Sequence, residues 1–197
     1  MNILKKVVHY VCTRYGSFET KKKIWDHEFR FGRWRHLEDT RTDPVYIYIR
    51  KYSKCGSILD LGCGSGATCL EMDENVFSTY TGVDISQAAV DSANLKCKGT
   101  TKEYKAHFVL GELESFEPDG KYDLILFRES IYYLPKLRIV PTIQRYLKCL
   151  ASGGYIIVRL HDRIKYKYII QMIDKNFMVV DRYEPTDPPA IIVVLSD

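Results

Sequence analysis

The chain has 197 residues, enough for one ordinary domain with a sizeable buried core. With 46% hydrophobic and 27% charged residues it has the make-up of a folded globular protein, which excludes a disordered or fibrous chain. No run approaches the ~20 apolar residues of a membrane span, and the six cysteines have neither C-x-x-C nor zinc-ligand spacing. A cytoplasmic setting with reduced thiols, no metal and no membrane partner is therefore expected; the stretch from Asn2 to Cys12 lacks the apolar core and cleavage site of a signal peptide.

Residues 1–54 read as a helical appendage. Ile3, Leu4, Val7, Val8 and Val11 recur at helical spacing and predict an amphipathic helix, broken at Gly16-Ser17. A second helix is expected from Lys22 to Phe31, before Gly32. Asp43-Pro44 supplies the start of a third, running to about Tyr52. This segment holds 13 Lys and Arg against 6 Asp and Glu, whereas the rest holds 16 against 19. Such a basic excess suits an acidic substrate or nucleic acid, or simply a solvated helix face at Lys21-Lys22-Lys23. Trp25, Phe29, Phe31, Trp34, Tyr46 and Tyr48 enrich it in aromatics, and His36 is a candidate base.

From residue 55 to 197 strands and helices alternate, the pattern of a parallel sheet covered on both faces. Strands are predicted at Ser57–Leu61, Thr79–Val83, Tyr104–Leu110, Tyr122–Phe127 and Gly153–Leu160. Helices are expected from Ala67 to Asp73, from Ser86 (as cap) to Lys98, from Leu137 to Ala151 and from Arg163 to Lys175. Phe177–Tyr183 and Ala190–Leu195 follow with no helix between them and predict a terminal antiparallel hairpin.

The chemistry concentrates after the first strand. Ile58-Leu59-Asp60-Leu61 breaks into Gly62-Cys63-Gly64-Ser65-Gly66, and Asp84 closes the second strand. Glycines allow a tight turn close to a ligand, the next helix would offer unpaired N–H groups, and Asp84 would accept from ribose hydroxyls. These features define a nucleoside-cofactor site. Gly62-x-Gly64-x-x-Ala67, with Asp84 about 20 residues on, also satisfies the dinucleotide pattern, so NAD or a flavin is a competing cofactor.

The whole string Leu59-Asp60-Leu61-Gly62-Cys63-Gly64-Ser65-Gly66, followed by Gly82-Val83-Asp84-Ile85-Ser86, resembles the first two motifs of the class I S-adenosylmethionine-dependent methyltransferases. That resemblance implies an α/β fold: a Rossmann-like, seven-stranded, mostly parallel sheet with a terminal antiparallel hairpin and residues 1–54 as a helical lid. It implies S-adenosyl-L-methionine as cofactor, with Asp60, Gly62, Cys63, Gly64, Gly66, Asp84 and Ile85 around it. Glu112 and Leu113 would lie near the adenine, and Arg128 would orient cofactor or substrate. Members that methylate small molecules carry a stretch similar to Glu129-Ser130-Ile131-Tyr132-Tyr133-Leu134 beside the methyl group. Glu129 and Tyr132 are therefore catalytic candidates, joined by His161, a residue type that suits a general base. Methyl transfer to oxygen or nitrogen of a small molecule or glycan, possibly an acidic one, is the expected activity. An RNA or protein methyltransferase using the basic N-terminal segment and a non-catalytic binding subunit are the alternatives.

Overall fold

A computed structural model describes residues 3–34 and 40–197. Seven strands make one sheet: β1 (Ser57–Leu61), β2 (Thr79–Asp84), β3 (Ala106–Leu110), β4 (Tyr122–Arg128), β5 (Leu150–Leu160), β6 (Met178–Tyr183) and β7 (Ile191–Ser196). Their order is β3-β2-β1-β4-β5-β7-β6. Pairings among β1 to β5 are parallel, and β7 runs antiparallel to both β5 and β6. Successive side chains on a strand point to opposite faces, which sorts the apolar runs into two cores. Leu59, Leu61, Ile125, Phe127 and Val158 pack beneath α6 (Ile139–Leu147) and α7 (Lys167–Asn176). Ile58, Leu124, Leu126 and Ile157 face α3 (Val45–Ser53) and α5 (Gln87–Cys97).

The chain order reverses between β1 and β4, so their carboxyl ends open a crevice at a topological switch point. Over it lie α1 (Ile3–Tyr15) and α2 (Phe18–Arg30), α1 resting on α2 and α2 on α5.

Several boundaries differ from expectation, each for a local reason. The second helix starts early because Ser17 caps it, accepting from the Thr20 N–H at 3.3 Å. The helix after the glycine turn, α4 (Ala67–Glu71), has only five residues. Buried Lys102 ends it by donating to the carbonyls of Cys69 (2.9 Å), Leu70 (2.7 Å) and Met72. So short a helix contributes less dipole at the turn than seven residues would. β3 begins at Ala106, since the Lys105 and Ala106 N–H groups are held by the Lys102 carbonyl at 3.0 Å. Helix α6 ends at Leu147, because β5 starts at Leu150, which pairs with Tyr122. Helix α7 starts four residues late: Arg163 is engaged with the carbonyls of Pro185 and Pro189 instead. The apolar stripe of α1 is present but points to solvent, and Thr13 is the buried residue of that helix.

Candidate cofactor and acceptor site

The turn after β1 is fastened to the end of β2. Gly62 and Cys63 both donate their N–H to the Val83 carbonyl, at 2.8 and 3.0 Å. Gly62 has φ +87°, and a Cβ there would fall 2.5 Å from the Ser130 Cβ at the end of β4, so only glycine lets the two segments meet. Gly64, at φ +56°, aims its N–H at Asp84 Oδ2 (2.9 Å), while the Ser86 N–H reaches Oδ1 (2.9 Å). Each Asp84 oxygen thus holds one backbone donor and keeps acceptor capacity toward the crevice. Burial pushes its carboxyl up to about 6, against the lowering effect of those two N–H groups.

Asp60 is placed differently. It is fully buried under the turn, does not border the crevice, and accepts from the Tyr80 hydroxyl at 2.5 Å. Burial raises its pKa. Cys63, Gly62, Gly64 and Ile85 do border the crevice, whereas Gly66 caps α4 behind it.

The roof comes from α2. Asp26 Oδ1 accepts from Ser86 Oγ (2.8 Å) and the Ala88 N–H (3.0 Å), pinning α2 to the start of α5 two residues beyond Asp84. Burial raises the Asp26 carboxyl, but Lys22, Ala88 and Ser86 together hold it below the usual range. Trp25, Phe29 and Trp34 then line the crevice, with Trp25 edge-on to Tyr133 at 4.6 Å. Lys21 pairs with Glu112 at 2.5 Å and Lys22 with Asp26 at 2.7 Å, so two of the three run lysines turn inward to acids. Glu112 and Leu113 border a second, smaller hollow that shares Gly62, Asp84 and Ile85 with the first.

The far wall is built at the ends of β4 and β5, where Arg128 and Arg159 are register partners. Arg128 donates to Tyr46 Oη and Thr68 Oγ1, both at 3.1 Å, and lies 3.4 Å from Asp43 Oδ2. Arg159 pairs with the same Asp43 oxygen at 3.0 Å and with Glu129 Oε1. Tyr46 passes the network on to Glu71 at 2.7 Å. Glu129 has φ +58°, a sparsely populated conformation for a non-glycine residue. Its Oε2 accepts from the Tyr132 hydroxyl (2.9 Å) and meets His161 Nδ1. Burial raises the Glu129 carboxyl, but His161 and Arg159 outweigh it and leave it below the usual value. Burial and the Glu129 charge drive the Tyr132 hydroxyl pKa up.

Of the three predicted catalytic residues, Glu129 and Tyr132 border the crevice, and His161 backs Glu129 from the outer side with about half its surface exposed. His36 lies outside the described residues. Asp43 and Arg159 were missed as site residues. Asp43 Oδ1 accepts the Val45 N–H at 3.0 Å just ahead of α3, whose N-cap is Pro44, and its second oxygen joins the two arginines. The readable signal for Arg159 was its place at a strand end, two residues before His161. The crevice encloses about 980 Å³ of space unfilled by protein, solvent at its mouth included. Among the described residues no His, Cys, Asp and Glu group is arranged for a metal ion, and no helix is long and apolar enough to cross a membrane.

A buried carboxylate with spare acceptors, held by a glycine turn at the switch point of a sheet whose penultimate position is reversed, is a hallmark of the class I S-adenosylmethionine-dependent methyltransferases. The chain resembles that class, and a family model described as a methyltransferase domain matches residues 58–154, just under half of it. A ubiquinone biosynthesis O-methyltransferase of Rickettsia bellii is 22% identical over 79% of this chain and 64% of its own length. A trans-aconitate 2-methyltransferase of Acidovorax ebreus is 27% identical over 70% of this chain and 52% of its own. The chain thus spans under two thirds of either relative. In structure it is similar to magnesium protoporphyrin IX methyltransferase of Synechocystis PCC 6803, solved with S-adenosylmethionine bound. The TM-score is 0.69 at 17% identity, covering 89% of this chain and 97% of that one.

Proposed function

We propose that the protein transfers a methyl group from S-adenosylmethionine to an oxygen or nitrogen of a small molecule or glycan. Residues 55–197 form the cofactor domain and residues 1–54 its lid. The observation that carries this reading is the shared crevice, which both Asp84 and Glu129 line. In it Asp84 accepts from the ribose hydroxyls, and Ile85, Leu113 and Glu112 flank the adenine in the smaller hollow. Trp25, Phe29, Trp34 and Tyr133 present aromatic faces, which stabilise a cation by about 0.5–2 kcal/mol. When bound, the cofactor supplies an electrophilic methyl on a cationic sulfur.

The chain itself supplies position and a proton acceptor. Holding the acceptor atom in line can be worth up to ~7–11 kcal/mol. Glu129, kept ionised by Arg159 and His161, takes the proton of a hydroxyl or an ammonium. His161 stands one bond further out and positions Glu129. Arg128 and Arg159 already face Asp43 and Glu129, so the wall does not favour an acidic acceptor over a neutral one.

Calorimetric titration with S-adenosylmethionine, S-adenosylhomocysteine and NAD in parallel tests the cofactor. Micromolar binding of the first two and none of NAD supports the reading; binding of NAD alone ends it. Turnover in an acceptor screen with labelled methyl separates an enzyme from a non-catalytic binding subunit. Specific RNA methylation in that screen would favour the nucleic-acid alternative.

A further inference from the structure

We infer that α1 docks the protein on an anionic lipid surface, its apolar stripe inserted between headgroups and its lysines among the phosphates. Ile3, Leu4, Val7, Val8 and Val11 are 78, 68, 53, 52 and 47% exposed. Their spacing puts them on one stripe of the helix. On the opposite side His9 Nε2 meets Glu28 Oε1 at 2.7 Å and Thr13 is buried, while at the last turn Arg14, in line with Val7, reaches the protein at the Tyr132 carbonyl. A helix of the fold's own core would be docked the other way round, apolar side inward. This one keeps its apolar side for something else.

Charge selects the occupant. The first acidic residue of the chain is Glu19, so α1 carries Lys5, Lys6 and Arg14 with no acid. Two copies pairing α1 against α1 would bring only cations together, whereas anionic headgroups complement them. Lys5 and Lys6 are exposed and flank the docked face, and long side chains of this kind can carry their charge back to the headgroups. Thirteen residues span about 20 Å at 1.5 Å each, too short to cross a ~30 Å bilayer core, so the helix lies in the interface. Arg14 bonds α1 to the crevice wall, donating to the Tyr132 carbonyl at 2.7 Å, so a docked helix holds the crevice near the lipid.

The test is flotation of the full chain with vesicles of phosphatidylcholine alone or with about 30 mol% phosphatidylglycerol, a typical anionic content for such assays. Expected is at least about tenfold stronger binding to the anionic vesicles, weakened by salt and by Lys5→Glu/Lys6→Glu. Val7→Glu/Val11→Glu should abolish it without changing the melting temperature or cofactor affinity. Absence of anionic-vesicle binding overturns the inference. So does undiminished binding of the Val7→Glu/Val11→Glu variant, which would mean surface charge alone. A dimer in sedimentation that this variant dissolves would assign the stripe to a second copy instead.

Discussion

Asp26 and Ser86 are joined by a 2.8 Å hydrogen bond across 60 residues of sequence, and through it the helical roof is attached to the cofactor floor. The same carboxylate oxygen caps α5 at the Ala88 N–H. Replacing Asp26 by Ala removes a helix cap, worth about 0.5–2 kcal/mol, and frees α2 from α5. The melting temperature should fall by several degrees, amide exchange in α2 should quicken, and S-adenosylhomocysteine should bind several-fold more weakly. An unchanged exchange pattern in α2 would show that the bond does not hold the roof.

Asp84 makes cofactor binding pH-dependent. Its carboxyl, raised by burial to about 6, must be ionised to accept from two ribose hydroxyls. Affinity for S-adenosylhomocysteine should therefore rise as pH climbs through about 6 and level off above 7. The sign for the ligand-free fold is opposite. A raised carboxyl pKa contributes stability that is complete below the unfolded value near 4 and is lost as pH rises through about 6. Asp84→Asn should flatten the binding profile and weaken affinity at pH 7.5 by at least about tenfold, each charge-assisted bond contributing about 1.5–3 kcal/mol. A binding curve flat from pH 5 to pH 8, as ordinary assay limits, would contradict this placement of the ribose.

Lys102 is a stability residue that no motif marks. Its buried ammonium satisfies three carbonyls where α4 stops, and burial lowers its pKa. Lys102→Met keeps the apolar stem and leaves the carbonyls of Cys69 and Met72 without that donor. A loss of about 2–4 kcal/mol in urea unfolding is expected, since each unsatisfied buried group costs about 1–3 kcal/mol. Stability within about 0.5 kcal/mol of the parent chain, the range of ordinary surface changes, would mean that those carbonyls find other partners.

What was legible in the sequence was whatever depends on near neighbours. The span of β1 was readable because an apolar run ends in glycine, and Ser86 because a cap precedes its helix directly. The position of Asp84 followed from the end of β2. The partners of Glu129 were not readable: Arg159 and His161 come from β5 and the loop after it, and Asp43 reaches Arg159 from the segment before α3. Periodicity revealed the stripe on α1 but not its direction, because the spacing is the same whether a stripe faces core or solvent. Helix lengths failed where a distant group intervened, as Lys102 does at α4.

The Glu129–His161 contact separates two roles that sequence position alone assigned to one kind of residue. Glu129 borders the crevice and His161 does not, so the carboxylate is the proposed proton acceptor and the imidazole its proposed positioning group. Glu129→Gln should lower kcat/KM by about 10²–10⁴, as removal of a general base does, with S-adenosylhomocysteine affinity within twofold. His161→Asn should cost less, about tenfold, and it should also move the pH profile. Burial raises the Glu129 carboxyl and His161 is the first of the groups opposing it, so without the imidazole the carboxyl pKa climbs. The acidic limb of the rate profile then shifts to higher pH in His161→Asn while the plateau is partly recovered. If instead His161→Asn matches Glu129→Gln in size and abolishes the acidic limb, the imidazole itself is the proton acceptor, and the loop after β5 must swing into the crevice during turnover.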